Sequence, residues 1–345
     1  MVNSILSNNP LFLEQRMQFY TIKVLNIQLL KFSYIVSYCF MKAVLFPGQG
    51  SQFVGMGSDF YQKYDLVKKI FEKVDQTLGF SLTKIILDGP ESELKLTKNT
   101  QPAIMTIGVS IFRVLNEEFN YDLNSAKFFA GHSLGEYTAL VCSGSLSIER
   151  AAFLLHERGK SMQEAVPTGE GAMLAVIGMK LEEVEKEIAL LPKLGVCEIA
   201  NDNSNEQVVV SGKKEMIEIF SKNLKEKKKR GVILPVSAPF HCSLMQKASI
   251  SMKEKIKKTD FTDPKPKVIS NVTAKPESDV DAIKSLLIDQ ITSKVRWRES
   301  INYMINEKVD SFLEIGPGKI LSGLVKKISK EVKIKNISSL KDIEQ

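Results

Sequence analysis

The stretch Lys127-Phe128-Phe129-Ala130-Gly131-His132-Ser133-Leu134-Gly135-Glu136-Tyr137 decides how the chain is read. Lys127–Ala130 has the look of a short apolar strand, and Glu136–Val141 has helical spacing. Between them, residues 131–135 match Gly-x-Ser-x-Gly. A serine at so tight a strand-to-helix turn is pushed clear of the backbone, and its neighbours must be small because the turn is crowded. The N–H of the next residue, Leu134, opens the helix and can face an oxyanion. Ser133 is therefore the candidate nucleophile. Five-residue patterns recur by chance, so the flanking strand and helix carry much of the weight.

Outward from this turn, strands and helices alternate. Lys42–Phe46 reads as a buried strand running into Pro47-Gly48, and Val67–Thr77, Pro102–Glu118 and Ile148–Glu164 have helical periodicity. Such alternation predicts an α/β fold with a mostly parallel sheet covered by helices. Residues 171–236 change character. Strands are expected at Ala172–Gly178, Val196–Ala200, Gln207–Ser211 and Val232–Val236, with helices at Leu181–Leu190 and Lys214–Lys228. Asn201–Asn205 is expected to be a turn-rich link. The order βαββαβ is that of a ferredoxin-like unit. Residues 168–236 are thus expected to form a small subdomain inserted into a larger one made of 41–167 and 237–345, with a cleft between them. After 240 the first pattern resumes, with helices near 281–291 and 296–306 and a strand at Ser311–Ile315.

A serine nucleophile needs a base, and the chain has three histidines. His132 sits next to the serine, where a side chain points away from it. His156 lies mid-helix. His241, in Pro239-Phe240-His241-Cys242, lies where the chain re-enters the cleft and is the best base by elimination. No carboxylate suggests itself as a third member, so a backbone carbonyl is left to hold the imidazole tautomer. Gly48-Gln49-Gly50-Ser51-Gln52 fails as a dinucleotide loop because Phe53 stands where glycine is needed, and no P-loop lysine follows. What remains is a glycine turn that presents amides at the carboxyl edge of the sheet, where the Gln49 side chain would suit an oxyanion or carbonyl. Arg158, if it faces the cleft, can clamp a carboxylate through two parallel hydrogen bonds.

Composition narrows the class. Of 345 residues, 43% are apolar and 25% charged, an ordinary globular balance. No run of 18 uncharged apolar residues occurs, so no membrane span is indicated. The cysteines at 39, 142, 197 and 242 form no Cys-x-x-Cys pair and have no histidine at zinc spacing. Neither a metal site nor a disulfide framework is expected, which points to a reduced, cytoplasmic compartment. Part of the formal charge of +7 lies in Lys222–Arg230, either a solvated helix end or a docking patch for an acidic partner. The run has no aromatics to stack on bases, so nucleic acid is not the expected partner. Residues 1–40 are rich in Asn, Gln, Tyr and Ile without clear period and lack the layout of a secretory signal. Scarce acidic residues, only Glu14, leave a mitochondrial transit peptide open, but the favoured expectation is a dispensable leader or an upstream start codon, with Met41 the true first residue.

In order along the chain, Phe46-Pro47-Gly48-Gln49-Gly50-Ser51-Gln52, Thr100-Gln101-Pro102-Ala103, Gly131-His132-Ser133-Leu134-Gly135-Glu136-Tyr137, Arg158-Gly159-Lys160-Ser161-Met162-Gln163, Phe240-His241 and Glu314-Ile315-Gly316-Pro317-Gly318 resemble the motifs of malonyl-CoA:acyl-carrier-protein transacylases. The resemblance covers Met41 to about Leu324. It implies an α/β-hydrolase-like large subdomain with a ferredoxin-like insert. It also implies a ping-pong reaction with malonyl-CoA as substrate, acyl carrier protein as acceptor and no cofactor. Ser133 and His241 would form the catalytic pair, Gln49 and the Leu134 N–H the carbonyl and oxyanion donors, and Arg158 the partner of the malonyl carboxylate. Gln290, ahead of Val295-Arg296-Trp297, would supply the carbonyl that orients the histidine. A serine esterase or thioesterase, and a non-catalytic carrier-binding module, are the competing classes.

Overall fold

The computed structural model describes residues 43–236 and 238–343. The reading of residues 1–40 and of Met41 as the start lies outside them.

Among the described residues, ten strands build two sheets. The larger runs in the order β10 (Lys333–Ile337), β9 (Ser311–Ile315), β1 (Ala43–Phe46), β2 (Phe128–Gly131), β7 (Lys267–Ile269), β8 (Pro276–Glu277). All neighbours pair in parallel except β8, which runs antiparallel to β7. Every residue of β1, β2 and β9 is buried, because helices cover both faces of a parallel sheet and its strands become continuous apolar runs. Side chains alternate between the faces. Ala43, Leu45, Phe128, Ala130 and Phe312 pack with Trp297, Ile301 and Met304 of the helix Trp297–Asn306. On the other face, Phe46 and Phe129 meet Phe112 with ring centroids 6.2 and 5.6 Å away. Each such aromatic pair contributes about 0.5–1.5 kcal/mol beyond its buried area.

The helix through Thr100-Gln101-Pro102 begins at Thr97, five residues before the expected Pro102. Proline inside a helix removes the N–H that would bond four residues back. The carbonyl freed in this way, that of Lys98, instead meets His156 Nδ1 at 3.0 Å. His156 belongs to the helix Ile148–Glu164, which approaches through Gly159, where a Cβ would lie only 2.5 Å from the Thr97 oxygen. The close helix pairing thus supplies what the proline takes away. The edge strand β10 was not expected. Glu314, from β9, accepts the N–H groups of Leu321 and Ser322 at 3.0 and 2.8 Å and so caps the helix Ile320–Ile328.

The smaller sheet is antiparallel throughout, in the order β4 (Cys197–Ser204), β5 (Gln207–Lys213), β3 (Gly171–Ile177), β6 (Arg230–Ile233). Its elements follow the expected order βαββαβ. One face, with Leu174, Val176, Val208 and Val210, packs on Val184, Ile217 and Phe220 of the two helices. The alternate residues Met173, Ala175 and Val209 point the other way, into a cleft that Ser133 also lines.

Asn201–Asn205 is not the expected link. β4 continues through Ser204, and the turn is only Asn205–Glu206. The polar run stays extended because the larger unit satisfies it. Val295 N donates to Ala200 O at 2.9 Å, and Asp202 N donates to Val295 O at 3.0 Å. The fully buried Asp202 carboxylate accepts Arg298 Nε at 2.9 and 3.1 Å. The last strand also ends early, at Ile233, and residues 234–236 line the cleft instead. Among the described residues no helix is long and apolar enough to cross a membrane.

Replacing Arg298 with alanine leaves a buried carboxylate without its cation. The unfolding free energy should fall by about 1.5–3 kcal/mol in a denaturant melt, with partial recovery in Arg298→Lys. An unchanged midpoint would mean that water reaches Asp202 and the pair does not join the two sheets.

Candidate active site

β2 ends at Gly131, and the helix Leu134–Cys142 begins three residues later. So sharp a turn tolerates no side chains at its contacts. A Cβ on Gly131 would fall 1.9 Å from the Gly135 carbonyl carbon, one on Gly135 2.3 Å from Phe46 O, and one on Gly48 2.6 Å from His132 O. The glycines thus let the β1 turn lie directly on the β2 turn. Ser133 takes φ 54°, a conformation that costs a non-glycine residue on the order of 1–3 kcal/mol. Both its backbone groups are tied down to hold it there. Its N–H donates to Asn271 Oδ1 at 2.7 Å, and its carbonyl accepts Gln290 Nε2 at 3.1 Å.

The Ser133 hydroxyl lies 2.8 Å from His241 Nε2, and His241 Nδ1 lies 2.9 Å from the Gln290 carbonyl. The carbonyl can only accept, so Nδ1 carries the proton and Nε2 is free to take one from the serine. The expected dyad is therefore assembled, with a backbone carbonyl in the third place. His241 also has a positive φ, 59°. Burial, with the nearby Arg158 cation adding to it, drives the imidazole down to about 3. The imidazole is thus held in its neutral form through the ordinary imidazole range.

Arg158 is not solvated. It is 1% exposed and reaches Ser133: Nη2 donates to Ser133 Oγ at 3.1 Å and to Gln290 Oε1 at 2.8 Å, while Nη1 donates to Gln101 Oε1 at 2.7 Å. Its guanidinium stands 5.8 Å from the centre of the Tyr137 ring. Its Nε has no hydrogen-bond partner among the described residues. Burial disfavours the guanidinium charge, and Tyr137 and Glu136 partly restore it.

Gln49 and Leu134 line the same cleft, of about 490 Å³, as Ser133, Arg158 and His241. All five expected site residues therefore converge. The Gln49 amide nitrogen is 3.5 Å from Thr97 Oγ1, a long contact that leaves it available to a stronger acceptor. The Leu134 N–H opens a helix, where the first donors have no partner within the helix.

His132 turns away from the serine, as expected, but it is not idle. Its Nε2 is 2.9 Å from Asn203 Oδ1 on β4, and its ring lies 5.5 Å from that of Trp297. Burial pushes its pKa down, and the ring bridges the turn at Ser133 and the smaller sheet.

Sequence reasoning missed a layer of amides and one carboxylate. Gln101 appeared only as part of a motif. The Gln290 side chain, Asn271 and Asn203 gave no signal of their own, since single amides scattered over 190 residues form no pattern. Glu136 is 4% exposed, and its Oε2 accepts Asn271 N–H at 3.0 Å and Gln290 Nε2 at 2.8 Å. Burial raises it to about 7 against the pull of those donors and of Arg158.

Comparison with known proteins agrees with this geometry. Residues 44–342 match the acyl transferase domain family. A malonyl CoA-acyl carrier protein transacylase of Bacillus subtilis is 43% identical over 304 residues, 88% of this chain and 95% of its own. The Escherichia coli K12 protein of that name is 40% identical over 287 residues, 83% and 92% of the two chains. The crystal structure of acyl-carrier-protein-S-malonyltransferase from Bartonella henselae superposes with a TM-score of 0.85 at 42% identity, covering 88% of this chain and 98% of that one. A malonyl-transacylase solved in complex with its type II PKS acyl-carrier protein gives 0.84 at 36% identity, covering 88% and 97%. The chain belongs to the malonyl-CoA–acyl carrier protein transacylase family of acyl transferases.

Proposed function

We propose that this protein moves a malonyl group from malonyl-CoA to the phosphopantetheine thiol of acyl carrier protein through a malonyl ester on Ser133. One observation carries the reading: the Ser133 hydroxyl is held between a neutral base, His241 at 2.8 Å, and a buried cation, Arg158 at 3.1 Å. A nucleophile for the thioester and a receptor for a free carboxylate thus meet at one atom.

The steps balance as follows. Ser133 Oγ attacks the thioester carbon while His241 Nε2 takes its proton. Nδ1–H stays on the Gln290 carbonyl and steadies the imidazolium. The Leu134 N–H and the Gln49 amide would hold the developing oxyanion, each donor contributing on the order of 3 kcal/mol in the transition state. The C–S bond breaks, and coenzyme A leaves with the proton from His241. The carrier thiol then gives its proton to His241 and attacks the ester, and Ser133 recovers its proton. Arg158 pairs with the malonyl carboxylate in both halves.

We read residues 168–236 as a ferredoxin-like insertion in an α/β-hydrolase-like domain formed by 41–167 and 237–345. Strand order β4-β5-β3-β6 and the all-antiparallel pairing support this. The exposed lysines between Lys222 and Arg230 suit the docking of an acidic carrier.

Brief exposure to malonyl-CoA should add one malonyl group, mapped by intact mass to Ser133 and lost when holo carrier is supplied. Ser133→Ala should show no adduct. Free malonate as the main product with carrier present would make the protein a thioesterase instead.

Arg158→Ala should slow malonyl transfer by roughly ten- to a hundredfold, the loss expected for one charge-assisted contact. The choice of acyl group should relax toward acetyl. A constant malonyl/acetyl ratio would remove Arg158 from acyl recognition.

Because burial lowers His241, its basic form persists as pH falls through the ordinary imidazole range. The rate of acetylation by acetyl-CoA, which needs no carboxylate receptor, should stay level from about pH 7.5 to about 5. A limb centred near the usual imidazole value would show that His241 titrates as an exposed histidine.

A further inference from the structure

Ser133 and Glu136 are spaced as a capping box, in which the serine hydroxyl would bond forward into its helix and the glutamate back to the serine N–H. The structure does neither. Ser133 makes no side-chain cap; its hydroxyl goes to His241 and Arg158. Its N–H is taken by Asn271 Oδ1, so Glu136 is released from its own helix end. The Glu136 carboxylate instead reaches two groups from elsewhere in the chain, the Asn271 N–H and the Gln290 amide nitrogen.

The Gln290 contact has a direction. Its nitrogen faces the Ser133 carbonyl, which can only accept, at 3.1 Å, and Glu136 Oε2, the oxygen that also accepts the Asn271 N–H, at 2.8 Å. Its oxygen faces a group that can only donate, Arg158 Nη2 at 2.8 Å. An amide is nearly symmetric in shape, so its partners decide which way round it sits. Turned over, Gln290 would set its oxygen against a carboxylate and its NH2 against a guanidinium. We infer that Glu136 is a positioning residue for acyl selection: it fixes which face of the Gln290 amide meets Arg158, and so holds the guanidinium on Ser133. The same carboxylate pins the Asn271 backbone, whose side chain in turn holds the strained Ser133 N–H and donates to Gly131 O at 2.8 Å.

This inference rests on the transacylase reading, and its test separates the two. Glu136→Met and Gln290→Met keep side-chain volume, and the second also keeps the backbone carbonyl that His241 uses. Rates of Ser133 acylation by malonyl-CoA and by acetyl-CoA are measured by intact mass for each single variant, the double variant and Glu136→Gln, with thermal melts alongside. Each methionine variant should lower the malonyl/acetyl rate ratio about tenfold, the scale of one lost charge-assisted hydrogen bond. The double variant should be no worse than the poorer single, because both cut one link. Glu136→Gln retains an acceptor oxygen and should recover most of the ratio.

Malonyl and acetyl rates that fall together would make Glu136 a support of the fold alone. Effects that multiply in the double variant would mean the two residues act separately. Should Glu136→Met fail to fold, an unaltered ratio in Gln290→Met, or a ratio in Glu136→Gln as low as that of Gln290→Met, overturns the inference. A wild-type protein that takes no malonyl on Ser133 would instead sink the transacylase reading.

Discussion

A guanidinium buried beside Ser133 is the constraint around which this site is arranged. Taking such an ion out of water costs several kcal/mol even after the surroundings relax, so a buried Arg158 must be given acceptors. The structure supplies amide oxygens from Gln101 and Gln290, the Ser133 hydroxyl and the face of Tyr137. These acceptors are neutral. They solvate the charge without cancelling it, and the cation stays open to a carboxylate that enters the cleft. A direct partner such as Asp or Glu in place of Gln290 would have filled that role permanently. Glu136 stands one amide further out, close enough to act on the charge yet joined to it only through Gln290.

The second constraint is the backbone around Ser133. Both members of the dyad sit at positive φ, and neither is glycine. Such residues persist only where their surroundings over-determine them. At Ser133 the N–H and C=O are each held by an amide side chain from a distant part of the chain, Asn271 and Gln290. The bare contacts at Gly48, Gly131 and Gly135 are needed for the same reason. They bring the β1 and β2 turns close enough for Gln49 and the Leu134 N–H to share one edge of the cleft. Strain, glycine packing and amide clamps are thus one device, and the placement of the Ser133 hydroxyl is its product.

How much of this the sequence shows depends on the kind of signal each part leaves. The parallel core was legible because its strands are short apolar runs between helical periods, and β9 was placed to the residue. Ser133 was legible from its motif, and His241 because three histidines leave few choices. The Gln290 carbonyl came only through the resemblance, since any residue has a carbonyl and no side-chain type marks one. Asn201–Ser204 misled because Asn, Asp and Ser favour turns when they have only themselves to bond. Here Val295 and Arg298, about ninety residues away, satisfy them in extended form. The helix start before Pro102 was hidden in the same way, by an acceptor whose donor, His156, lies on another helix. These two misses share one cause: a distant group answered a local preference.

The same Arg158 charge also acts on His241. It adds to the effect of burial in holding His241 far below its ordinary value, so in the free enzyme the imidazole resists protonation. A base so reluctant takes a proton from the serine less readily. On the transacylase reading, an acyl group that brings its own carboxylate changes this. Pairing with Arg158 offsets the positive charge a few ångströms from His241 and makes the imidazolium easier to form in the transition state. An acetyl group brings no such charge and leaves His241 under the full field of the guanidinium. Arg158 would then discriminate twice, in how the acyl group is held and in how readily the base accepts the serine proton. Substrate choice and nucleophile activation would both follow from one buried charge lacking a permanent anion.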